Sequence, residues 1–108
     1  MAVLVYKITK RFPKDEIYGL TSQMRRAAVS VPSNIVEGCA RESHIEFIRF
    51  LEVAYGSLRE LHYQFTLAGR LGYVGKPEIN DYEIKFLEAE KVLGALIRTL
   101  RKSHKSSK

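Results

Sequence analysis

Three stretches of the chain repeat apolar residues every three or four positions, the spacing of one face of an α-helix. The clearest stretch follows Ser43 and ends near Gly72, and another follows the sequence GYVGKP. The remaining one runs from Ile17 to Gly38. No stretch alternates apolar and polar residues in the way a half-buried β-strand does. The periodicity therefore predicts an all-α fold.

Local signals place the boundaries of the two later helices. Ser43 followed by Glu46 is a capping box, in which the serine hydroxyl accepts a hydrogen bond from the backbone N–H of Glu46. Within this helix Gly56 and Ser57 are expected to let a neighbouring backbone come close. The last helix is expected to begin near Pro77, which suits the first turn of a helix. Its predicted apolar seam consists of Ile79, Tyr82, Phe86, Ala89, Leu93, Leu96 and Leu100.

Pro32 lies inside the second helical stretch, in the sequence RRAAVSVPSNIVEG. The apolar phase continues through the proline, whereas a loop at this point would usually reset it. We therefore expect one helix from about Ile17 to Gly38, kinked at Pro32, because the proline ring removes a backbone hydrogen bond and presses on the carbonyl of Ala28. The alternative is a new helix capped by Ser30, with Pro32 in its first turn.

Four helices joined by short links predict an up-and-down antiparallel four-helix bundle. The first helix is marked by Leu4, Ile8 and Phe12 and spans only about ten residues, or about 15 Å. A helix of that length cannot cover the apolar faces of neighbouring helices that are twice as long. We expect a single bundle domain over residues 1–102 and a basic, frayed tail over residues 103–108.

The composition is that of a globular protein. The chain has 108 residues, of which 45% are hydrophobic, which is enough for one domain with one modest core. The single cysteine, Cys39, cannot form an internal disulfide or a cysteine-based metal site, and it suits a reducing compartment. The apolar start, MAVLVY, is too short for a signal peptide or a membrane span. We expect a bacterial-type cytoplasmic protein without a membrane partner.

The net charge of +6 is concentrated near the two ends of the chain. Residues 7–14 hold four bases and residues 98–108 hold five, in both cases without an acid, whereas residues 15–97 hold nine bases against twelve acids, a net −3. A helical protein with a basic tail accounts for this pattern, and so does contact with the phosphates of a nucleic acid. The candidate nucleic-acid contacts are Lys10, Arg11, Lys14, Arg98, Arg101, Lys102, Lys105 and Lys108.

Charged residues inside the helices are interpreted first as structural. We expect Arg25 or Arg26 to pair with Glu37 or Glu60 in a partly buried polar cluster that includes Asn34. Such a cluster tends to fix helix register more than it adds stability.

The start of the third helix is apolar around most of its circumference. In the sequence IEFIRFLEVAY, only Glu46, Arg49 and Glu52 interrupt the apolar residues. A helix on the surface of a monomer needs a wider polar face. We therefore expect the chain to form a homo-oligomer. The predicted interface residues are Ile45, Ile48, Phe50 and Val53.

No residue pattern indicates catalysis, and we expect no catalytic residues, metal ligands or cofactors. His44, His62 and His104 lack HExxH or paired metal-ligand spacing, and Cys39 has no nearby histidine. We interpret His62 as a histidine at the edge of the third helix's seam. A pair of carboxylates acting as acid and base needs a cleft, which a filled bundle would not offer. The residues interpreted as completing the core or an interface, rather than stacking on bases, are Tyr55, Tyr63, Tyr73 and Tyr82.

The segments YGLTSQMRRAAVSVPSNIVEG, FIRFLEVAYGSLRELHYQF and AGRLGYV resemble the four-helix-bundle proteins encoded by intervening sequences in bacterial 23S rRNA genes. The family pattern couples Gly-Leu-Thr, paired arginines, Ser-x-Pro-x-Asn and Glu-Gly with a later Phe-Leu, Gly-Ser-Leu and Glu-Leu. The matching positions are Gly19–Thr21, Arg25–Arg26, Ser30–Asn34, Glu37–Gly38, Phe50–Leu51, Gly56–Leu58 and Glu60–Leu61. The resemblance covers about residues 6 to 100, and the first helix is shorter than is usual in the family.

The resemblance implies a homo-oligomer in the form of a pentameric ring of bundles. It also implies kinship with the accessory subunit of diversity-generating retroelements, a basic barrel that binds nucleic acid and a reverse transcriptase. The partners it implies are therefore RNA or DNA, and a reverse transcriptase or a ribosome-related protein. The leading functional hypothesis is a non-enzymatic oligomer that binds nucleic acid through basic rims. The alternative is an oligomeric protein–protein adaptor without nucleic-acid binding. A small hydrolase or nuclease has almost no support.

Overall fold

The computed structural model describes the backbone of residues 1–106 and the side chains of residues 1–105. Its helices are α1 (Ala2–Thr9), α2 (Leu20–Cys39), α3 (His44–Arg70) and α4 (Lys76–Ser106). A short 3-10 turn, Lys14–Glu16, precedes α2. There is no strand within residues 1–106. The prediction of an all-α four-helix bundle is confirmed.

The helices alternate in direction, so the ends of α1 and α4 lie at opposite poles of the bundle. At one pole, the ring of Phe12 after α1 packs on Tyr73 before α4, with ring centroids 5.2 Å apart. At the other, Nε2 of His44 at the start of α3 lies 3.0 Å from the carbonyl oxygen of Leu100 near the end of α4. We call the first end the upper pole and the second the lower pole. The bundle measures 52 × 24 × 17 Å.

The proline in α2 does not break the helix, which runs without interruption from Leu20 to Cys39. The prediction of one continuous helix through Pro32 is confirmed. The helix begins at Leu20 rather than near Ile17, because the chain first makes the 3-10 turn. A side-chain oxygen of Glu16 in that turn accepts a 3.4 Å hydrogen bond from the backbone N–H of Leu20, satisfying one of the free donors at the helix start.

The predicted N-terminal cap of α3 is present. The length of α4, by contrast, exceeds the prediction. The hydroxyl of Ser43 accepts a hydrogen bond from the N–H of Glu46 at 3.3 Å. At the other end of the chain, α4 continues into the predicted tail, which begins at residue 103, and reaches Ser106. Lys108, one of the candidate nucleic-acid contacts, lies outside the described residues.

The core follows most of the predicted seam positions. In α1 the buried residue is Val5 and not the predicted Leu4, and Ile17, the predicted start of the second helix, is 53% exposed. At the lower end of α4, Ile97 is 5% exposed and Leu96, the predicted seam residue, is 42% exposed. An α-helix has 3.6 residues per turn, so a strict seven-residue repeat drifts around a straight helix. The buried face of α4 therefore steps by four from Leu93 to Ile97. The largest fully buried side chains are Phe65, Phe86, Met24, Leu51 and Leu61.

A close approach between α2 and α3 occurs at Gly38, not at Gly56. A Cβ placed on Gly38 would lie 2.9 Å from Cβ of Phe50 and 3.0 Å from Cδ1 of Phe47. A Cβ placed on Gly56 would meet no atom within 4 Å, so the expectation for Gly56 is wrong. The sequence shows both glycines inside helices and does not show which one faces a neighbour.

Gly38→Ala is therefore expected to lower the free energy of unfolding by about 1–3 kcal/mol, because the added methyl forces Phe50 and the backbone beneath it to shift. Gly56→Ala is the matched control, and it should raise the free energy of unfolding by about 0.5–1 kcal/mol through helix propensity alone. Urea denaturation followed by circular dichroism measures both. If the two substitutions stabilise the protein equally, the close approach at Gly38 is not rigid.

Candidate nucleic-acid interface

The predicted basic residues at the upper pole lie among acids from other elements. The guanidinium of Arg11 donates two hydrogen bonds to the carboxylate of Glu78 in α4, at 2.7 and 3.3 Å. These bonds and the opposite charges raise the pKa of Arg11 and lower the pKa of Glu78. Lys10 precedes the 3-10 turn and Lys14 is its first residue, and within residues 1–105 neither lysine forms an ion pair. The ion pair with Glu78 thus balances the charge of Arg11.

The turn before α2 adds further negative charge to the upper pole. It contains Asp15 and Glu16, and Oη of Tyr73 donates a 2.9 Å hydrogen bond to Oε2 of Glu16. The hydrogen bond to this carboxylate raises the pKa of Tyr73, with further contributions from burial and from the charge of Glu16. The acidic turn is thereby tied to the chain that enters α4.

The lower half of α4 is different, because residues 91–106 contain five bases and no acid. One of these bases, Arg101, forms a hydrogen bond and ion pair with Glu52 of α3. The other four are exposed at the surface. They are Lys91, Arg98, Lys102 and Lys105. The structure thus divides the predicted contacts between an upper pole, where bases lie among acids, and a strongly positive lower half of α4, to which it adds Lys91.

A family model described as 23S rRNA-intervening sequence protein matches residues 1–95. The chain belongs to this family. It is also similar to a crystal structure of a protein of unknown function from the S23 ribosomal protein family of Bacteroides thetaiotaomicron. The TM-score is 0.81 at 23% identity, and the match covers 90% of this chain and 88% of that chain. At this identity the likeness shows a shared fold. No curated protein matches the chain in sequence.

Neither of these descriptions, of the intervening-sequence family or of its structural neighbour, names an enzymatic activity. In this family member, no helix within residues 1–106 is both long and apolar enough to span a membrane. The part of the chain that the structure describes also contains no group of three or more histidine, cysteine, aspartate or glutamate side chains placed to hold a metal ion.

The residues of the predicted polar cluster make separate contacts instead of one buried network. Arg26 lies 3.9 Å from Glu60 of α3, but both side chains are exposed. Nε of Arg25 donates a 2.9 Å hydrogen bond to Oγ1 of Thr9 in α1. Adjacent residues on a helix point about 100° apart, so the two arginines face different neighbours.

The other two members of the predicted cluster bond to residues four positions away in sequence. Glu37 pairs with Arg41 at 3.2 Å, and Nδ2 of Asn34 donates a 2.8 Å hydrogen bond to the carbonyl of Ser30. A second polar contact joins α2 to α3 besides that of Arg26 and Glu60, a 2.8 Å hydrogen bond between the hydroxyls of Ser30 and Ser57. Nδ2 of Asn34 also donates a 3.0 Å hydrogen bond to the hydroxyl of Ser30.

The four predicted interface residues are exposed to different degrees in the single chain. Ile45 and Val53 are exposed on the surface of α3. Phe50 is half-buried, with the guanidinium of Arg41 4.9 Å from the centre of its ring. Ile48 is buried within the chain itself, so it is not available to a neighbouring subunit. The oligomer interface remains a prediction, carried by Ile45 and Val53.

His62 joins α3 to α4 through a polar contact that the sequence analysis did not predict. Its Nδ1 lies 3.0 Å from Oε1 of Glu90, and its Nε2 lies 2.7 Å from Oε2 of Glu83. The imidazole also stacks on Phe86, with centroids 4.8 Å apart. We call His62, Glu83 and Glu90 the α3–α4 clamp. The only signal in the sequence is the seven-residue spacing of the two glutamates, on either side of Phe86 along α4.

The protonation of His62 decides how many bonds the clamp makes. A protonated imidazole donates from both ring nitrogens, whereas a neutral one donates from only one. Burial lowers the pKa of His62, but the hydrogen bonds to Glu90 and Glu83 outweigh burial and leave the pKa raised. Arg59 supports Glu90 from the exposed side, with Nη1 3.5 Å from Oε1. The clamp is therefore a structural contact between two helices.

Proposed function

We propose that this protein is a non-enzymatic homo-oligomer that binds RNA or DNA through the basic lower end of the bundle. The observation that supports this most is the unequal charge of α4. Residues 76–90 carry two bases and five acids, whereas residues 91–106 carry five bases and no acid. A surface with one sign of charge attracts phosphates over a distance of about a Debye length. The family's description, which refers to 23S rRNA, is consistent with a nucleic-acid partner.

Self-association would multiply this charge. In a pentameric ring, each lower pole contributes the same bases, and the isolated patches become a basic rim. Each phosphate that is contacted releases counterions, so affinity should fall steeply as the salt concentration rises. We infer little base preference, because lysine and arginine side chains on an exposed helix face suit phosphate contact. Within residues 1–105 we find no set of side chains arranged to read base edges.

An uncovered apolar groove supports the oligomeric part of the proposal and is a second candidate interface, because neither Ile45 nor Val53 lines it. The short α1 leaves a groove of about 600 Å³ between α2 and α4, which begins at Met1 and extends along the bundle. Val92 on its wall is 70% exposed. Covering one such side chain contributes about 1.5–3 kcal/mol. The apolar residues that line the groove are Val31, Ile35, Leu58, Ala89, Val92, Leu93 and Leu96.

The same groove favours a second candidate function. If the groove receives a helix of another protein, the chain is an adaptor and its charge is incidental. The two functions differ in one measurable property, because only the first gives salt-dependent binding to nucleic acid of random sequence.

The oligomer is tested by light scattering at micromolar concentration. The parent chain, whose subunit mass is 12.4 kDa, should give a mass several times larger. Val92→Glu should reduce that mass, because it places a charge in the groove. Thr99→Glu is the control, since it adds the same charge at an exposed position of α4 outside the groove. A monomeric parent contradicts the oligomer, and equal masses for the two variants contradict the groove as the interface.

The nucleic-acid site is tested by comparing the two poles with matched variants. Lys102→Ser/Lys105→Ser and Lys10→Ser/Lys14→Ser each remove two charges. On duplex DNA the lower-pole variant should reduce the slope of log affinity against log salt by about 0.9 for each phosphate that it no longer neutralises, and the upper-pole variant should change it little. Fluorescence anisotropy measures both. A larger reduction for the upper-pole variant contradicts the assignment of the site to the lower pole. If the parent does not bind nucleic acid at low salt, the adaptor function replaces this one.

A further inference from the structure

We infer that the outward face of the lower half of α4 is a linear docking surface for the phosphate backbone of a double-stranded nucleic acid. This inference rests on the proposed function, and it specifies both the surface and the class of nucleic acid. We call the surface the α4 stripe. It consists of Lys91, Arg98, Lys102 and Lys105.

The stripe is straight because its members recur along α4 at intervals close to whole helical turns. At 100° per residue the four side chains fall within an arc of about 60°, and at 1.5 Å per residue they span about 21 Å along the helix. Leu93 and Ile97, buried in the same part of α4, lie about 150° and 110° around the helix from the middle of this arc. The stripe therefore faces away from the core. Ala95 lies beside the arc, about 20° beyond its edge.

The charges of the stripe are available to a ligand. Within residues 1–105, none of its four side chains forms an ion pair. Arg101, next to Lys102 in sequence, lies about 100° around the helix and pairs with Glu52 of α3. The acids of α4, from Glu78 to Glu90, all precede the stripe. The stripe thus leaves out Arg101, a predicted phosphate contact, and includes Lys91, which was not among the predicted contacts.

The chemistry of this face favours a duplex over a single strand. Proteins that bind single strands combine basic residues with aromatic side chains on which the bases stack. Between Lys91 and Lys105, α4 itself carries no phenylalanine, tyrosine or tryptophan. One half-buried ring lies beside the stripe, because a Cβ placed on Gly94 would lie 3.6 Å from Cε2 of Tyr55 and 3.4 Å from Nη1 of Arg98. A single half-buried ring does not form a row of surfaces on which successive bases could stack. A duplex presents phosphates at one charge per about 1.7 Å of axis, so the four charges of a straight row about 21 Å long on a rigid helix can each meet a phosphate without bending the nucleic acid.

The test uses fluorescein-labelled duplex DNA of random sequence, the matching RNA duplex and one strand of each, with anisotropy measured at several salt concentrations. The parent should bind both duplexes more tightly than their single strands. Four contacts give a slope of about 3.6 on duplex DNA, so a fourfold rise in salt should weaken binding about a hundredfold. The variant Lys91→Gln/Arg98→Gln/Lys102→Gln/Lys105→Gln should lose this dependence, with its fold checked by circular dichroism.

Two adjacent single substitutions provide the sharpest comparison. Lys102→Gln should reduce the slope by about 0.9, and Arg101→Gln, which removes the same charge, should reduce it less. Tighter binding to single strands overturns the duplex assignment, and equal effects of the two substitutions overturn the stripe. Both of these outcomes leave the proposed function in place. Absence of binding by the parent at low salt removes the proposed function and the inference together.

Discussion

Replacing Phe86 with alanine is expected to lower the free energy of unfolding by about 3–5 kcal/mol. The side chain is among the largest that are fully buried. Its ring stacks on His62 and packs against Phe65, with centroids 4.8 and 5.7 Å away. The substitution thus leaves a cavity and also removes the surface that supports the imidazole of the α3–α4 clamp. A domain of this size has a total stability of about 5–15 kcal/mol, so the loss is a large fraction of it.

Leu87→Ala is the matched control for this substitution. Leu87 follows Phe86 in α4 but is 53% exposed, and its truncation should change the free energy of unfolding by no more than about 0.5 kcal/mol. Urea denaturation of the parent and both variants gives the comparison. If Leu87→Ala costs as much as Phe86→Ala, then α4 does not turn Phe86 toward the core and Leu87 toward solvent.

The second large effect is a pH dependence that arises from the α3–α4 clamp. His62 has a raised pKa in the folded chain, because the hydrogen bonds to Glu90 and Glu83 outweigh its burial. A raised pKa means that the folded state binds the proton more tightly than the unfolded state. The stabilisation by the clamp is therefore complete below the ordinary histidine pKa of 6.5 and is lost as the pH rises through the higher pKa of folded His62.

The size of this effect follows from the bonds that deprotonation removes. A neutral imidazole no longer donates to one of the two glutamates, and a hydrogen bond to a charged group contributes about 1.5–3 kcal/mol. In the parent, the free energy of unfolding should fall as the pH rises from the ordinary histidine pKa through the higher pKa of folded His62. His62→Gln should abolish this fall. The free energy of unfolding measured across the interval in both proteins isolates His62, because His44 and His104 are present in both. Identical pH profiles for the parent and His62→Gln would show that the clamp does not hold its proton.

The presence and continuity of each helix could be predicted from the sequence, because they depend on residues that are close together along the chain. The unbroken apolar phase around Pro32 predicted the continuous α2, and the spacing of Ser43 and Glu46 predicted the cap of α3. The lower end of α4 was mispredicted at Leu96 because a heptad pattern ignores the drift of a real helix. That error concerns helix geometry, not the identity of the element.

The contacts between helices could not be predicted in the same way. Whether Gly38 or Gly56 meets a neighbour, and whether His62 reaches two glutamates, depends on how α2 and α4 are rotated and shifted against α3. The candidate nucleic-acid interface also depends on how the helices pack. Arg101 was predicted as a phosphate contact because its neighbours in sequence are basic, and only the packed structure brings Glu52 next to it. Net charge along the chain is thus a poor guide to net charge on the folded surface.

The most direct test of the proposed function is the affinity of the parent chain for duplex DNA of random sequence as a function of salt concentration. Binding through the basic lower half of α4 predicts measurable affinity at low salt and a slope of log affinity against log salt of at least about 3.6, increasing as more subunits of an oligomer contact the same duplex. A slope near zero, or no binding at the lowest salt concentration, would contradict it.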